Sequence, residues 1–413
     1  MIKRSLLLII LCLSFTGFQH SFACTTFLIS GKSTADGKPI LFKNRDTDNP
    51  NNALEFFTDG KFNYIGLVDS SKNREKMVWG GYNETGFAII NSAAYNNNIG
   101  DTTKLADLEG VVMKAALQSC RTLEDFEKLL LSMPKPLGVD ANFGVIDALG
   151  GAAYYETGNF RFVKYDANDP TVAPDGVLIR TNHSLSADVS IGYGFCRYNT
   201  AGIALNKAIE EKNLMPRHLL NAISRNLTHS LTNTDLLTDL PDQKDTPSFR
   251  FFTDYIVRHS TASAVMIVGA KDEKHTREAM MWTILGFPLT SVAIPVWIAA
   301  GNRLPGSVVM DKNLQSPVCR AALKLKEDCF PLKYGNGHSY INLSVVVNKQ
   351  NTGYMQQLQS VENEVFLKTS NLIADIEKGK SNEKMFTDFY DWVDRYLEIK
   401  YLELFGINLF EKK

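Results

Sequence analysis

An excess of basic charge is missing. Lys and Arg number 44 against 45 Asp and Glu, a net charge of −1. Nothing there favours a phosphate backbone, so nucleic acid is not expected as a partner. Metal-site patterns are missing too. His183, His218, His229, His259, His275 and His338 are scattered, with no His-Glu-x-x-His and no paired Cys-x-x-Cys spacing. No metal or other cofactor is expected. A glycine-rich phosphate loop and a Gly-x-Ser-x-Gly turn are both absent, which removes nucleotide-driven and serine α/β-hydrolase chemistry. Repeats and low-complexity tracts are lacking. Long apolar runs are rare. Residues 282–300 are apolar, but Pro288 and Pro295 divide them, so buried strands and turns suit them better than a membrane span.

What is present is globular: 44% hydrophobic and 22% charged residues in a chain of 413. That length allows one large domain or two. The start reads as a secretory signal. Lys3 and Arg4 precede an apolar stretch over 5–18, and Ser21-Phe22-Ala23 puts small residues where a signal peptidase reads. Cleavage after Ala23 would leave 390 residues, a net charge of −3 and Cys24 as the first residue. The mature chain is then expected in the periplasm or outside the cell, with no stable membrane insertion. Five cysteines remain: Cys24, Cys120, Cys196, Cys319 and Cys329. An odd number leaves at least one unpaired within a monomer. Cys319 and Cys329 flank a short helix-like segment, and a bridge between them is one arrangement.

Cys24 has three readings. It is a disulfide or buried cysteine that happens to follow a cleavage site. It is a lipoprotein cysteine, although Ser21 and Phe22 depart from the aliphatic and small residues such signals use. Or it is an N-terminal nucleophile. In the third case one residue carries both a thiol, of reference pKa about 8.5, and an α-amine, of reference pKa about 7.7–8.0. Nucleophile and base are then supplied together.

The pattern along the chain alternates hairpins with helices. Residues 24–31 and 40–44 read as strands joined by a turn on Asp36-Gly37. Further strands are expected over 62–67, 76–80, 87–92, 142–147, 151–156, 160–165, 177–180, 261–269, 279–284, 291–296 and 340–348. Residues 106–133 carry the helical period and break near 120–122. Residues 199–211 and 216–226 read as helices, and 227–248 as a long loop. From 353 the chain is mostly helical, with an apolar stripe at Phe366, Leu372, Ile373, Phe386, Phe389, Trp392, Val393 and Leu397. This is an α+β pattern of antiparallel sheets covered by helices. It divides into a leader (1–23), a catalytic domain (24–352) and a C-terminal helical extension (353–413) packed on the core or on a partner subunit. Self-association stays open.

Amide cleavage by a cysteine needs a base, a group that holds the base, donors for the oxyanion and a proton for the leaving amine. A hairpin returns Arg45 beside Cys24, where its charge favours the thiolate. Asp48 follows, within reach of the α-amine. Asn91 and Asn182 each end an apolar strand, a setting for a turn former or for an inward amide donor. Arg197 opens a helix, and spacing alone does not choose between an ion pair and a site role for it.

The sequence resembles the N-terminal nucleophile amide hydrolases of the choloylglycine hydrolase, penicillin V acylase and acyl-coenzyme A:6-aminopenicillanate acyltransferase group. Cys24-Thr25 resembles the mature start. Asp36-Gly37 with Asn44-Arg45-Asp46-Thr47-Asp48 resembles the hairpin and its Arg-Asn-x-Asp segment. Asn83-Glu84-x-Gly86 followed by Asn91 resembles the strand that ends in the oxyanion Asn. Thr181-Asn182 and Cys196-Arg197-Tyr198 resemble the later Asn and Arg segments. The resemblance implies a four-layered αββα sandwich and catalytic roles for Cys24, Arg45, Asp48, Asn91, Asn182 and Arg197. Asp46 departs from it, standing where bile salt hydrolases have Asn. The implied activity is hydrolysis of a linear amide C–N bond in a small acyl-amide through a Cys24 thioester. Acyl transfer or dipeptide hydrolysis by the same cysteine is the alternative, and a silent binding protein on the same fold is another. Specificity is expected in the loops 49–60, 95–105 and 227–248.

Overall fold

A computed structural model describes residues 23–71, 75–380 and 382–410. Residues 1–22 of the expected leader (1–23) lie outside them. Two antiparallel sheets stack face to face. The first is built on a central pair, β1 (Thr25–Ile29) and β2 (Ile40–Asp46). The strand Thr261–Val268 pairs with the free edge of β2, followed by Met280–Leu285 and Ala293–Val296. The second sheet is a meander of β3 (Asn52–Phe57), β4 (Tyr64–Asp69), β5 (Gly80–Asn83), β6 (Ala88–Ala93), β7 (Ala141–Ile146), β8 (Ala152–Thr157) and β9 (Phe162–Asp166). The chain then returns as β10 (Val177–Arg180) to flank β1 on its other edge. All five β1 residues are buried, as a central strand covered on both faces requires.

The β1–β2 hairpin follows from its turn. Gly37 takes φ +76°, and Asp36 accepts from the Lys38 N–H at 3.2 Å. The sheets meet through side chains of both. Tyr154 donates to the Thr26 hydroxyl at 2.9 Å, and Tyr82 accepts from the Ile298 N–H at 2.8 Å. Gly144 permits close approach, because a Cβ there would sit 3.0 Å from Leu41 Cδ1.

Helices cover both outer faces. α1 (Glu109–Ser119) and α2 (Leu123–Ser132) pack Val112, Leu117, Phe126 and Leu130 on the second sheet. The break between them falls where Thr122 caps α2 by accepting from the Asp125 N–H. α3 (Phe195–Glu210) and the helices Pro317–Cys329, Tyr354–Glu377 and Glu383–Phe405 join the core around the first sheet. The result is an α+β fold of four layers, αββα. The last two helices are tied in by polar contacts as well. Arg225 makes two hydrogen bonds to Glu362, and Tyr390 accepts from the Trp297 N–H at 2.7 Å.

Several expectations differ from the structure. Residues 52–57 form β3, an edge strand hidden in sequence by the polar run before it. Residues 75–79 form a turn rather than a strand, and β5 starts at Gly80. The strand expected over 340–348 stops at Asn342. A helical turn, Leu343–Val346, follows, with Ser344 donating to Asn342 Oδ1. Cys319 and Cys329 are both free. They share one helix, and at about 1.5 Å of rise per residue their ten-residue separation spans about 15 Å, beyond any disulfide. Residues 280–296 are strand, short turn and strand. Among the described residues no helix is long and apolar enough to cross a membrane.

Candidate active site

The register of the hairpin builds the site. Thr25 lies opposite Asn44, and Thr26 opposite Lys43. One step further, Cys24 falls opposite Arg45 and Ala23 opposite Asp46. Side chains alternate across a strand, so Cys24, Thr26, Lys43 and Arg45 face the second sheet, while Thr25, Asn44 and Asp46 face the helices. The contacts agree. Lys43 Nζ donates to Asn91 Oδ1 on β6 at 2.6 Å and to the Trp79 carbonyl at 2.8 Å. On the other face, Asn44 donates to the Ile256 carbonyl, and Asp46 accepts from Thr261 Oγ1 at 2.6 Å.

Cys24 is 6% exposed, and its sulfur bears no disulfide. In the chain described here Ala23 still acylates its nitrogen. Arg197, at the start of α3, donates to the Cys24 carbonyl at 2.6 Å and to Thr25 Oγ1 at 3.1 Å. Its other terminal nitrogen donates to Asn182 Oδ1 at 2.8 Å, while Asn182 Nδ2 donates to the Ala93 carbonyl at 2.7 Å. Asn182 thus anchors Arg197 and ties the end of β10 to β6. Gly194, at φ +84°, precedes the helix, and a Cβ there would strike the Arg197 guanidinium.

Arg45 is buried in an ion pair with Asp69 at 2.8 Å. It also donates to Asn52 Oδ1 at 2.7 Å and lies over the Trp79 ring at 4.7 Å. Asp48 is exposed in the turn after β2. The carboxylate that does reach the head of β1 is Asp46. It is buried, 2.5 Å from Arg258, and the same Arg258 nitrogen donates to the Ala23 carbonyl at 2.6 Å. An ion pair therefore flanks the peptide bond between Ala23 and Cys24.

Three side chains here escaped the sequence reading of the site. Lys43 and Asp46 carried a usable signal, since a period of two from Asn44 and Arg45 assigns each a face. Arg258 carried none, because only the pairing of Thr261–Val268 with β2 brings it here.

The electrostatics follow from burial. Desolvation pushes the Lys43 ammonium down to about 8, against the opposing pull of Cys24. Desolvation lowers Arg45 as well, with Asp69 resisting. Arg197 is lowered by burial first and by the Arg258 charge second. Tyr95, a non-glycine residue at φ +68°, is raised by burial and then by Cys24, which places it in the same field. Among the described residues no group of three or more His, Cys, Asp or Glu is arranged to hold a metal.

Comparison with known proteins gives fold-level likeness only. No family model matches the sequence, and no curated protein does. Among solved structures, the chain is similar to a Caenorhabditis elegans N-acylethanolamine-hydrolyzing acid amidase ortholog (TM-score 0.42, 15% identity, 63% of this chain and 99% of that one). It is similar to penicillin V acylase from Agrobacterium tumefaciens (TM-score 0.39, 13% identity, 67% and 86%). It is also similar to a mutant conjugated bile acid hydrolase from Clostridium perfringens (TM-score 0.41, 12% identity, 68% and 93%).

Proposed function

We propose that this chain is the precursor of an exported N-terminal cysteine hydrolase that cleaves a linear amide C–N bond in a small acyl-amide. The observation that supports it most is the placement of Cys24. It heads the central strand, with Lys43 and Asn91 on its thiol face and the Asp46–Arg258 pair beside its nitrogen. Removal of residues 1–23 converts that nitrogen into an α-amine where Asp46 can accept a hydrogen bond from it.

The reaction then runs on the chain's own groups. The Cys24 sulfur attacks the amide carbon as the thiol proton passes to the α-amine. Arg197 holds the Cys24 carbonyl, which fixes the amine against the sulfur. Asn91 donates to the oxygen that becomes negative. The α-ammonium returns its proton to the leaving nitrogen, and the C–N bond breaks to give a thioester. Water, deprotonated by the same amine, attacks the thioester and releases the acid and the thiol. Arg45 supplies positive charge from behind its ion pair with Asp69.

The test begins with the intact mass of the exported protein, followed by hydrolysis assays on a panel of acyl-amides. A mass for residues 24–413 and an activity that Cys24→Ala reduces by roughly 10⁴-fold or more support the reading. A terminus elsewhere, a lipid on Cys24, or undiminished turnover in the variant would sink it.

A further inference from the structure

Lys43 belongs to no role assigned so far. The residue is 1% exposed, and its ammonium donates to Asn91 on the face of the sheet that it shares with Cys24. An ammonium has three donors and no acceptor. The atom of Asn91 that faces it at 2.6 Å must therefore be the amide oxygen. That contact decides which way the Asn91 amide is turned, with Oδ1 spent on Lys43 and the NH₂ directed elsewhere. A second donor is held by the Trp79 carbonyl at 2.8 Å. The anchor is rigid, because Trp79 precedes β5 and its ring lies against Arg45.

We infer that Lys43 is a positioning residue: its ammonium aims the Asn91 NH₂ at the reacting oxygen and supplies the charge that favours the Cys24 thiolate. This rests on the hydrolase reading above and adds to it the group that orients the oxyanion donor. A neutral lysine would no longer dictate the arrangement. Its nitrogen then carries a lone pair, which can accept from Asn91 Nδ2, and the amide is free to turn over.

The charged groups whose fields reach the ammonium are Cys24 at the head of β1, Arg45 on its own face of β2, Asp46 on the opposite face of β2 and Glu109 on α1. Cys24, Glu109 and Asp46 support its charge and Arg45 opposes it, with burial the largest influence. Glu109 is itself pushed up to about 7 by burial, so it gains its charge just below the pH at which Lys43 loses its own. Lys43 is charged below about 8 and neutral above it. Activity should therefore fall as pH rises through that value.

The experiment uses the mature protein with Lys43→Met and Lys43→Gln. Two readouts are taken: kcat against pH, and the rate of Cys24 alkylation by iodoacetamide against pH. In Lys43→Met, kcat should fall by roughly 10²-fold, the scale of one lost oxyanion donor. The alkaline limb near 8 should disappear. The alkylation profile should move up by about one pH unit, as loss of a nearby opposite charge requires. Lys43→Gln should shift alkylation equally but keep more kcat, since its amide can still donate to Asn91 Oδ1. Adding Asn91→Ala to Lys43→Met should cost less than twofold further, because a misaimed donor has little left to lose. An unmoved alkylation profile in both variants, or fully additive losses in the double variant, overturns the inference. Should the unaltered protein hydrolyse no amide, the hydrolase reading fails by itself, and alkylation still judges the placement of Lys43.

Discussion

Asp46 and Asp48 are two residues apart, yet one is buried against Arg258 and the other stands in water. A carboxylate that is to hold the α-amine of Cys24 must be fixed in direction. Thr261 and Arg258 fix Asp46, and the same Arg258 nitrogen holds the Ala23 carbonyl next to the Cys24 nitrogen. Asp46→Asn should lower kcat by roughly 10²-fold or more, the range for loss of help to an acid–base group. Asp48→Asn should stay within about twofold, as an exposed charge with no fixed partner does. Steady-state kinetics on the two mature variants decide it. Equal losses would return the role to Asp48. The same distinction applies to the arginines. Arg45 is already paired with Asp69, whereas Arg197 spends its donors on the Cys24 carbonyl, Thr25 and Asn182. Arg197→Lys cannot make that fork of contacts, and it should loosen the head of β1.

At the scale of elements, the hairpin was readable because its signals are local. Asp36-Gly37 demands a turn, and the alternation on either side demands paired strands. The strand period also gives the faces, which is why Lys43 and Asp46 were within reach of sequence reasoning and Arg258 was not. The helix Pro317–Cys329 shows the other limit. Its two cysteines suggested a bridge when read as spacing, and the helix that carries them forbids it. Cys319 instead donates to the Pro50 carbonyl and accepts from the Asn52 N–H, beneath the Asn52 side chain that receives Arg45. Burial pushes the Cys319 thiol up to about 11 and raises Cys329 further. Neither should react with iodoacetamide in the native protein at pH 8, while both should react after denaturation without any reductant. Peptide mapping under the two conditions checks this. A need for reductant would restore the bridge.

At the scale of the whole molecule, what was hardest to read is how the ends of the chain are joined to the site. The stripe over 353–403 announced packing but not its partner, because a stripe specifies a face and not what covers it. The partner is the first sheet, and the join is polar as well as apolar. Arg225 and Glu362 are buried at 2.6 Å, and the same carboxylate oxygen accepts from the Ala293 N–H. Arg225 also donates to the Pro288 and Ser291 carbonyls. One ion pair thus fastens the helix Tyr354–Glu377 to the strand Ala293–Val296 and to the turn before it. Removing one partner leaves a buried charge without compensation, which costs about 3–5 kcal/mol. Glu362→Leu should therefore lower the denaturation midpoint sharply, while Arg225→Met with Glu362→Leu should recover much of the loss. That rescue separates a buried charge from a mere loss of contact, since a contact-only account has the double variant worse than either single one. Cys24 lies three strands from this join, beyond β2 and the strands Thr261–Val268 and Met280–Leu285. The double variant should then hydrolyse its substrate with kcat close to that of the parent at temperatures where both are folded. A large loss of kcat in a stable double variant would mean that the C-terminal helices set the geometry of the site as well as the stability of the sheet that carries it.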